Sequence, residues 1–500
     1  MTDQVIGLYT AEQVRRLDKC AIEGHKIPGI DLMERAGGST FEAARLFHPS
    51  ARKFQVFCGG GNNGGDGYIV ARLAQEAGLE AVVCALKDPA GLKGDAAIAA
   101  ERWRQAGGDV QFWPPENLEA CDLIFDALLG TGLDREPAGD YGAAVDLINR
   151  SGKAVVAVDI PSGLNADTGV ALGRAVEADM TVTFIGAKRG LFTADGPDYA
   201  GEVSFYDLDT PQSVRDSEPE CGILIQKSLL GELLTRRRRN SHKGSYGWML
   251  GVGGNRGMSG AVRLAGEAAL RSGAGKVTLA TRSEHAALVN VACPELMVRG
   301  VEDAGQIEEL LGQVDVLVTG TGLGQTSWSD DMLQACLKST VPIVIDADGL
   351  NLLARLTLNA AEKSQKNWIM TPHPAEAGRL LDCSSREIQS DRVGTALRLA
   401  GRYGAVVALK GCGTVVAEPQ GRYAICPFGN PGMASAGTGD VLAGVIGAMV
   451  AQGLDVWHAT LAGVLAHALA GDLAAAQTGE RGMLASDITA HLPAVLNPAR

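Results

Sequence analysis

The sequence predicts an α/β protein of two domains, each built on a sheet with helices packed over it. Three observations carry this: 500 residues exceed what one hydrophobic core usually organises, short apolar runs alternate with helix-like segments, and 65 glycines supply tight turns between them. The 46% hydrophobic and 21% charged fractions are those of an ordinary folded chain. A net charge of −13 weighs against broad binding to nucleic acid or to an anionic membrane, but leaves room for a small anion in a locally positive pocket.

The first half opens with amphipathic stretches at 11–20 and 30–47. Apolar runs follow at 54–58, 80–84, 123–125 and 154–158, each bounded by Gly, Asp or Pro, with a helical segment at 68–77. Buried strands alternating with helices make a parallel sheet covered on both faces, hence a Rossmann-like doubly wound domain with ligands beyond the carboxyl ends of its strands. Around 210–220 the pattern lapses into polar residues and two prolines, the best linker candidate. The run Arg236-Arg237-Arg238-Arg239 reads either as a solvated entry segment or as an attractor of phosphate.

The second half restarts at 247–254 with a strand running into a glycine turn. Further strands are expected at 276–280, 314–319, 342–346, 368–371 and 405–409, then a hairpin of 413–417 and 422–426 around Pro419-Gln420-Gly421, and a helical finish over 441–477. The ten cysteines form no CxxC pair and read as free thiols. No secretory signal is visible, and the apolar stretch 441–450 is too short to span a bilayer, so a cytoplasmic protein is expected.

Chemistry concentrates at strand ends. In the second half, Asn430-Pro431-Gly432-Met433-Ala434-Ser435-Ala436-Gly437-Thr438-Gly439-Asp440 leads into a helix. Glycines let a ligand approach the backbone, and the first N–H groups of a helix are unpaired, so the segment forms an anion cradle. Asp440 would repel phosphate unless it serves a hydroxyl, which suits a base facing an alcohol that attacks phosphorus; the competing reading is a simple helix cap. Lys410-Gly411-Cys412-Gly413-Thr414 reads as a nucleotide-phosphate loop or a plain hairpin connection. Thr371-Pro372-His373-Pro374-Ala375-Glu376 fixes a histidine between prolines. Asp346-Ala347-Asp348-Gly349-Leu350-Asn351 offers two carboxylates for Mg²⁺ or its waters, or for capping.

Together with Gly251 to Gly254 and Gly320-Thr321-Gly322-Leu323-Gly324, these motifs resemble the ribokinase-like superfamily, and more narrowly the ADP/ATP-dependent NAD(P)H-hydrate dehydratases. The resemblance implies a ribokinase-like domain that phosphorylates the C6 hydroxyl of a hydrated nicotinamide ring, after which loss of phosphate restores NADH or NADPH. It implies further that Asp440 meets that hydroxyl, that Ala261, Gly322 and His373 lie along the hydrated dinucleotide, and that Gly439 and Lys410, Gly411, Cys412, Gly413 and Thr414 hold ADP or ATP, with Mg²⁺. Ser435-Ala436 depart from the family pattern, where lysine and glycine are frequent.

In the first half, Cys58-Gly59-Gly60-Gly61-Asn62-Asn63-Gly64-Gly65-Asp66-Gly67-Tyr68 follows a strand and opens a helix. A dinucleotide fingerprint fits it poorly because of the Asn pair and Asp66, whose oxygens suit an undemanding cation such as K⁺ better than Zn²⁺. Asp126-Ala127-Leu128-Leu129-Gly130-Thr131-Gly132-Leu133 and Asp159-Ile160-Pro161-Ser162-Gly163-Leu164 face the same crevice. This trio, with Phe184-Ile185-Gly186-Ala187-Lys188-Arg189-Gly190-Leu191, resembles the NAD(P)H-hydrate epimerases. The resemblance implies K⁺ on Asn63, Asp126 and Ser162. It implies substrate contacts from Asn62, Asn63, Gly64, Gly65, Asp66, Gly130, Thr131, Gly132, Leu133, Asp134, Arg135, Glu136 and Asp159, the last also handling a proton.

The expected whole is an epimerase domain over 1–215 and a dehydratase domain over 226–500, acting on hydrated NADH and NADPH with ADP as the expected phosphoryl donor, in a homo-oligomer without nucleic-acid or membrane partners. A small-molecule kinase with a stable product, a non-catalytic first half and a Rossmann dehydrogenase are the rival readings.

Overall fold

In the computed structural model, which describes residues 6–115, 118–356 and 367–497, the apolar runs become the central strands of two separate sheets. The chain divides into two compact units, Ile6–Ile223 and Leu224–Arg500. The expected linker at 210–220 therefore lies inside the first unit. Its first proline, Pro211, caps a short helix, Gln212–Asp216, and Val214 there is buried among the core residues of that unit.

In the first unit the parallel sheet runs Asp109–Phe112, Glu80–Ala85, Lys53–Cys58, Leu123–Ala127, Ala154–Val158, Met180–Phe184, Glu202–Tyr206. The chain moves outward from Lys53–Cys58, then returns to build the other side from Leu123–Ala127. Between those two strands lies the topological switch point where doubly wound sheets bind ligands. Register sets the site: Cys58 pairs with Ala127, Asp126 with Ala157, and Val158 with Val182, so the Gly59 turn, Asp126 and Asp159 emerge at neighbouring carboxyl ends. The amphipathic start becomes two helices, Ala11–Lys19 and Gly29–Phe47, the first opened by a Thr10–Gln13 capping box and seated by buried Val14 and Leu17.

In the second unit seven parallel strands run Met297–Gly300, Lys276–Thr281, Trp248–Val252, Val316–Thr319, Ile343–Ile345, Trp368–Met370, Val406–Leu409. The expected hairpin, Thr414–Ala417 with Tyr423–Cys426, extends the sheet antiparallel. Thr319, Ile345 and Met370 share one row across the sheet, which brings Gly320, Asp346 and Thr371 to one edge. The helical finish is not continuous. Thr438–Ala451 stops before Gly453, whose φ is +98°, and Asp455 caps the next helix, Val456–Thr478, by accepting from the Trp457 and His458 amides. Among the described residues that one helix is long and apolar enough to cross a membrane, and most of it is buried within its unit.

The arginine run is exposed. Arg237 lies 3.7 Å over the Tyr246 ring and donates to Gly273 O and Gln452 Oε1, so this member is tied to the protein surface. All ten cysteines are free thiols.

Candidate active sites

A cavity of about 920 Å³ opens at the switch point of the first unit, in the upper part of the roughly 300–1,000 Å³ range of ligand clefts. Gly60 and Gly61 of the glycine turn line it, with Asn62, Asn63 and Asp66 from the start of the Asn62–Glu76 helix, which Gly61 caps. The turn and helix pack so closely that a β-carbon on Gly64 would meet Gly59 O at 2.2 Å. Gly64→Ala should therefore displace the turn, and a misplacement near 1 Å costs catalysis on the order of a hundredfold. A first-unit activity unchanged in that variant would remove the turn from the site.

Asp126 is fully buried. Its carboxylate accepts from Ser162 Oγ and Ser162 N, both at 2.7 Å, and from Leu128 N at 3.2 Å. Burial raises its carboxyl to about 6 against the pull of those donors. Ser162 Oγ also accepts from Leu129 N at 2.8 Å, linking the strand end at Asp126 to the Leu129–Gly130 loop. Asn63 is 9% exposed, lines the cavity, and neither its Oδ1 nor its Nδ2 has a hydrogen-bond partner among the described residues. Buried amides are rarely left so, and an orphaned one at a cavity wall points to a ligand.

Asp159 also lines the cavity, with φ +67°, as does Ile185, a β-branched residue with φ +61°. Such strain gathers where side chains must be held in fixed positions. The Lys188 ammonium, 1% exposed, pairs with Asp159 Oδ1 and also donates to Thr183 Oγ1 at 3.1 Å and Phe184 O at 3.0 Å. Asp18 and Asp66 line the same cavity. Burial, reinforced for both by the Asp159 charge, pushes Asp18 up to about 6 and Asp66 well above the carboxylate range, while Lys188 opposes both shifts.

Of the expected contact residues, Asn62, Asn63, Asp66, Gly130, Thr131, Gly132 and Asp159 line this cavity, and Gly64 and Gly65 are buried in the helix beneath it. Leu133 and Asp134 line a smaller recess of about 250 Å³ that shares Arg15, Thr131 and Gly132 with the first. Arg135 and Glu136 line neither; Glu136 pairs with Arg174 at 3.2 Å. Lys188 and Asp18 are two site residues that sequence reasoning misses. Lys188 stands in a motif the sequence singles out, but its pairing with Asp159 depends on burial; Asp18 stands on what reads as the polar face of an amphipathic helix.

In the second unit the Thr438–Ala451 helix begins at Gly437, whose φ of +92° favours glycine. Thr438 Oγ1 donates to Met433 O and Ser435 O, both at 2.9 Å, closing the preceding loop. Asp440 is in the first turn and is not the cap. Lys410 Nζ donates to Asp346 Oδ1 at 2.6 Å and stands 3.8 Å from Glu376, and a β-carbon on Gly439 would lie 3.1 Å from Lys410 Nζ. Burial opposes the Lys410 charge, but Asp346 and Glu376 outweigh it and raise its pKa. Burial and then the Asp346 charge push Asp440 up to about 7, against Lys410. The helix start thus presents one cation, a half-buried carboxyl ready to take a proton near neutrality, and amides without helical partners.

Gly322 and Ala261 are brought together: a β-carbon on Gly322 would lie 3.0 Å from Ala261 Cβ. Asp348 accepts from Gly324 N at 2.8 Å and holds that loop. His373 caps the Pro374–Leu381 helix through Nδ1, which accepts from Ala375 N and Glu376 N, while its Nε2 lies 3.2 Å from Glu376 Oε1. Burial and then Lys410 lower its pKa, so the neutral ring that this capping needs is favoured. Gly411, Cys412 and Gly413 form the turn between Val406–Leu409 and Thr414–Ala417, braced by buried Arg392, which donates to Leu409 O and Lys410 O. Among the described residues no group of three or more His, Cys, Asp or Glu side chains could hold a metal.

Residues 249–494 match the family model described as NAD(P)H-hydrate dehydratase, and residues 29–190 match that of the YjeF-related protein N-terminus. A bifunctional NAD(P)H-hydrate repair enzyme of Coxiella burnetii is 43% identical over 491 residues, covering 98% of this chain and 99% of the relative. Another, of Escherichia coli K12, is 43% identical over 495 residues, covering 98% and 94%. A solved ribokinase-like superfamily protein from Enterococcus faecalis V583 is 29% identical, covers 55% of this chain and 95% of its own, and superposes with a TM-score of 0.51.

Proposed function

We propose, from the premise that this chain belongs to the family of bifunctional NAD(P)H-hydrate repair enzymes, how its two sites divide that repair. Hydration of the nicotinamide ring leaves a hydroxyl at C6 beside the ring nitrogen, in R and S forms. The chain interconverts the two forms and dehydrates the S form with the help of a nucleotide. The first unit is assigned the epimerase and the second the dehydratase; the observation that carries this is Asp440 at the Gly437–Asp440 helix start, a carboxyl poised near neutrality beside amides and Lys410.

In the dehydratase, Asp440 takes the proton of the C6 hydroxyl as its oxygen attacks the terminal phosphorus of the nucleotide. Gly439, Lys410 and the Gly411–Thr414 turn hold the phosphates. The ring nitrogen then expels phosphate, and loss of a proton from C5 restores the double bond. Phosphorylation makes hydroxide, a poor leaving group, into a good one. Asp346 already accepts from Lys410 and Thr371, and Asp348 from Gly324 N. These residues fit Mg²⁺ held mainly by nucleotide phosphates and water, where it would neutralise developing charge. ADP and ATP compared in one absorbance assay, with S-hydrated NADH as substrate, test the assignment: recovery of NADH absorbance supports it, and a stable phosphorylated product without recovery sinks it.

In the epimerase, Asn63, Asp126 and Ser162 would hold K⁺; the orphaned Asn63 amide and buried Asp126 carboxylate fit such an ion, which would supply a fixed positive charge near the substrate. Replacing K⁺ by Na⁺ should lower R/S interconversion by roughly tenfold or more while S-form dehydration continues, and should lower the melting temperature of the first unit through loss of a native-state ligand. Identical rates and melting in K⁺-free buffer would count against the site.

A further inference from the structure

We propose that Asp18, on the N-terminal helix, is the second proton-transfer group of the epimerase, facing Asp159 across C6 of the bound ring. The inference rests on the assignment of Asp159 to that reaction. Asp18 lies outside the 29–190 stretch that matches the family model.

Inverting a carbon that bears a hydroxyl requires help on both faces. As the C6–O bond of the R form breaks, the departing oxygen takes a proton, and the ring-nitrogen lone pair becomes the second bond of an N1=C6 iminium. Water then adds to the opposite face and gives up a proton. One carboxylic acid and one carboxylate suffice, and the same pair with exchanged protonation serves the reverse direction. Asp159 is suited to the carboxylate role because the buried Lys188 ammonium pairs with it. Asp18 is suited to the acid role. It lines the cavity with Asp159 and, among the described residues, has no hydrogen-bond or ion-pair partner. Burial together with the Asp159 charge pushes it up to about 6, so it keeps a proton further toward neutrality than an ordinary aspartate. The cavity is independently marked as a ligand site by Asn63, nine-tenths buried, which lines it with both amide atoms unpartnered among the described residues.

The charged groups that share the cavity are Arg15 from Asp18's own helix, Asp66 from the Asn62–Glu76 helix, and Asp159 and Lys188 from the strand ends. Lys87, Asp88 and Asp95 line it as well. Lys188 favours ionised Asp18, whereas Asp159 favours its protonated form, as the larger effect of burial does.

The test is the pH profile of R-to-S interconversion in the full chain, for wild type, Asp18→Asn, Asp18→Glu and Asp66→Asn, with thermal melting to confirm folding. An acid that must be protonated gives a rate that falls as pH rises through its pKa. Asp18→Asn should lose roughly a hundredfold or more, with KM little changed, and the residual rate should lack that alkaline fall. Asp18→Glu should recover part of the rate, and Asp66→Asn should keep the fall. An Asp18→Asn enzyme with wild-type rate, or with the alkaline fall intact, overturns the proposal. An Asp159→Ala enzyme with full interconversion overturns instead the reading on which it rests.

Discussion

Asp440→Ala is expected to lower nucleotide-dependent dehydration of the S form by about a thousandfold while R/S interconversion proceeds at the wild-type rate. The magnitude is that of a positioned base removed from a proton transfer. The pH dependence follows from the environment of the group. Asp440 is raised to about 7 by burial and by the Asp346 charge, so its basic form fills in as pH rises through that value. Dehydration by the wild type should rise between roughly pH 6 and 8 and then level, and the variant should show no such rise. Stability should move the other way. Between the unfolded carboxyl value and about 7 the folded chain holds this proton more tightly than the unfolded chain, so rising pH removes stability in that window. Asp440→Ala should therefore match wild type at the acid end and be the more stable protein above neutrality. A variant that dehydrates the S form normally would show that the hydroxyl proton goes elsewhere.

Asp440 is legible in the sequence because its surroundings are punctuation. A run of glycines ahead of an apolar helix marks close backbone approach, and of the two readings the sequence leaves for its aspartate the simple cap drops out, since Gly437 is the cap and Asp440 lies in the first turn. The central strands are legible for a related reason: parallel strands buried on both faces read as unbroken apolar runs, as at Val156, Val316 and Ile343. Edge strands such as Asp109–Phe112 and Met297–Gly300 are partly exposed and carry polar residues, so no run marks them. The break at Gly453 is hidden because Ala and Leu recur in both flanking helices.

Lys188 shows where sequence reasoning stops. The Phe184–Leu191 motif marks a strand end without giving this lysine a task, and its burial comes from long-range topology. The Ala187–Lys188 strand pairs with Ile6–Tyr9, Tyr9 opposite Lys188, and that pairing buries the ammonium beneath the Asp159 carboxylate. No local pattern states which strand will cover it. The same holds for Asp18, whose helix is amphipathic but whose polar side faces a cavity as well as solvent.

Asp159→Ala is expected to leave turnover of the S form intact and to slow use of the R form by roughly a hundredfold or more, measured as NADH absorbance recovered from each purified epimer with ADP present. The R form can reach the dehydratase only after inversion at C6, so the lag is the signature of the first site alone. Lys188→Met should reproduce the defect on the R form, because it removes the buried ammonium that pairs with Asp159 Oδ1 and fixes that carboxylate beside the cavity. Equal loss on both epimers in either variant would point to a general disturbance of the chain and would contradict the division of labour.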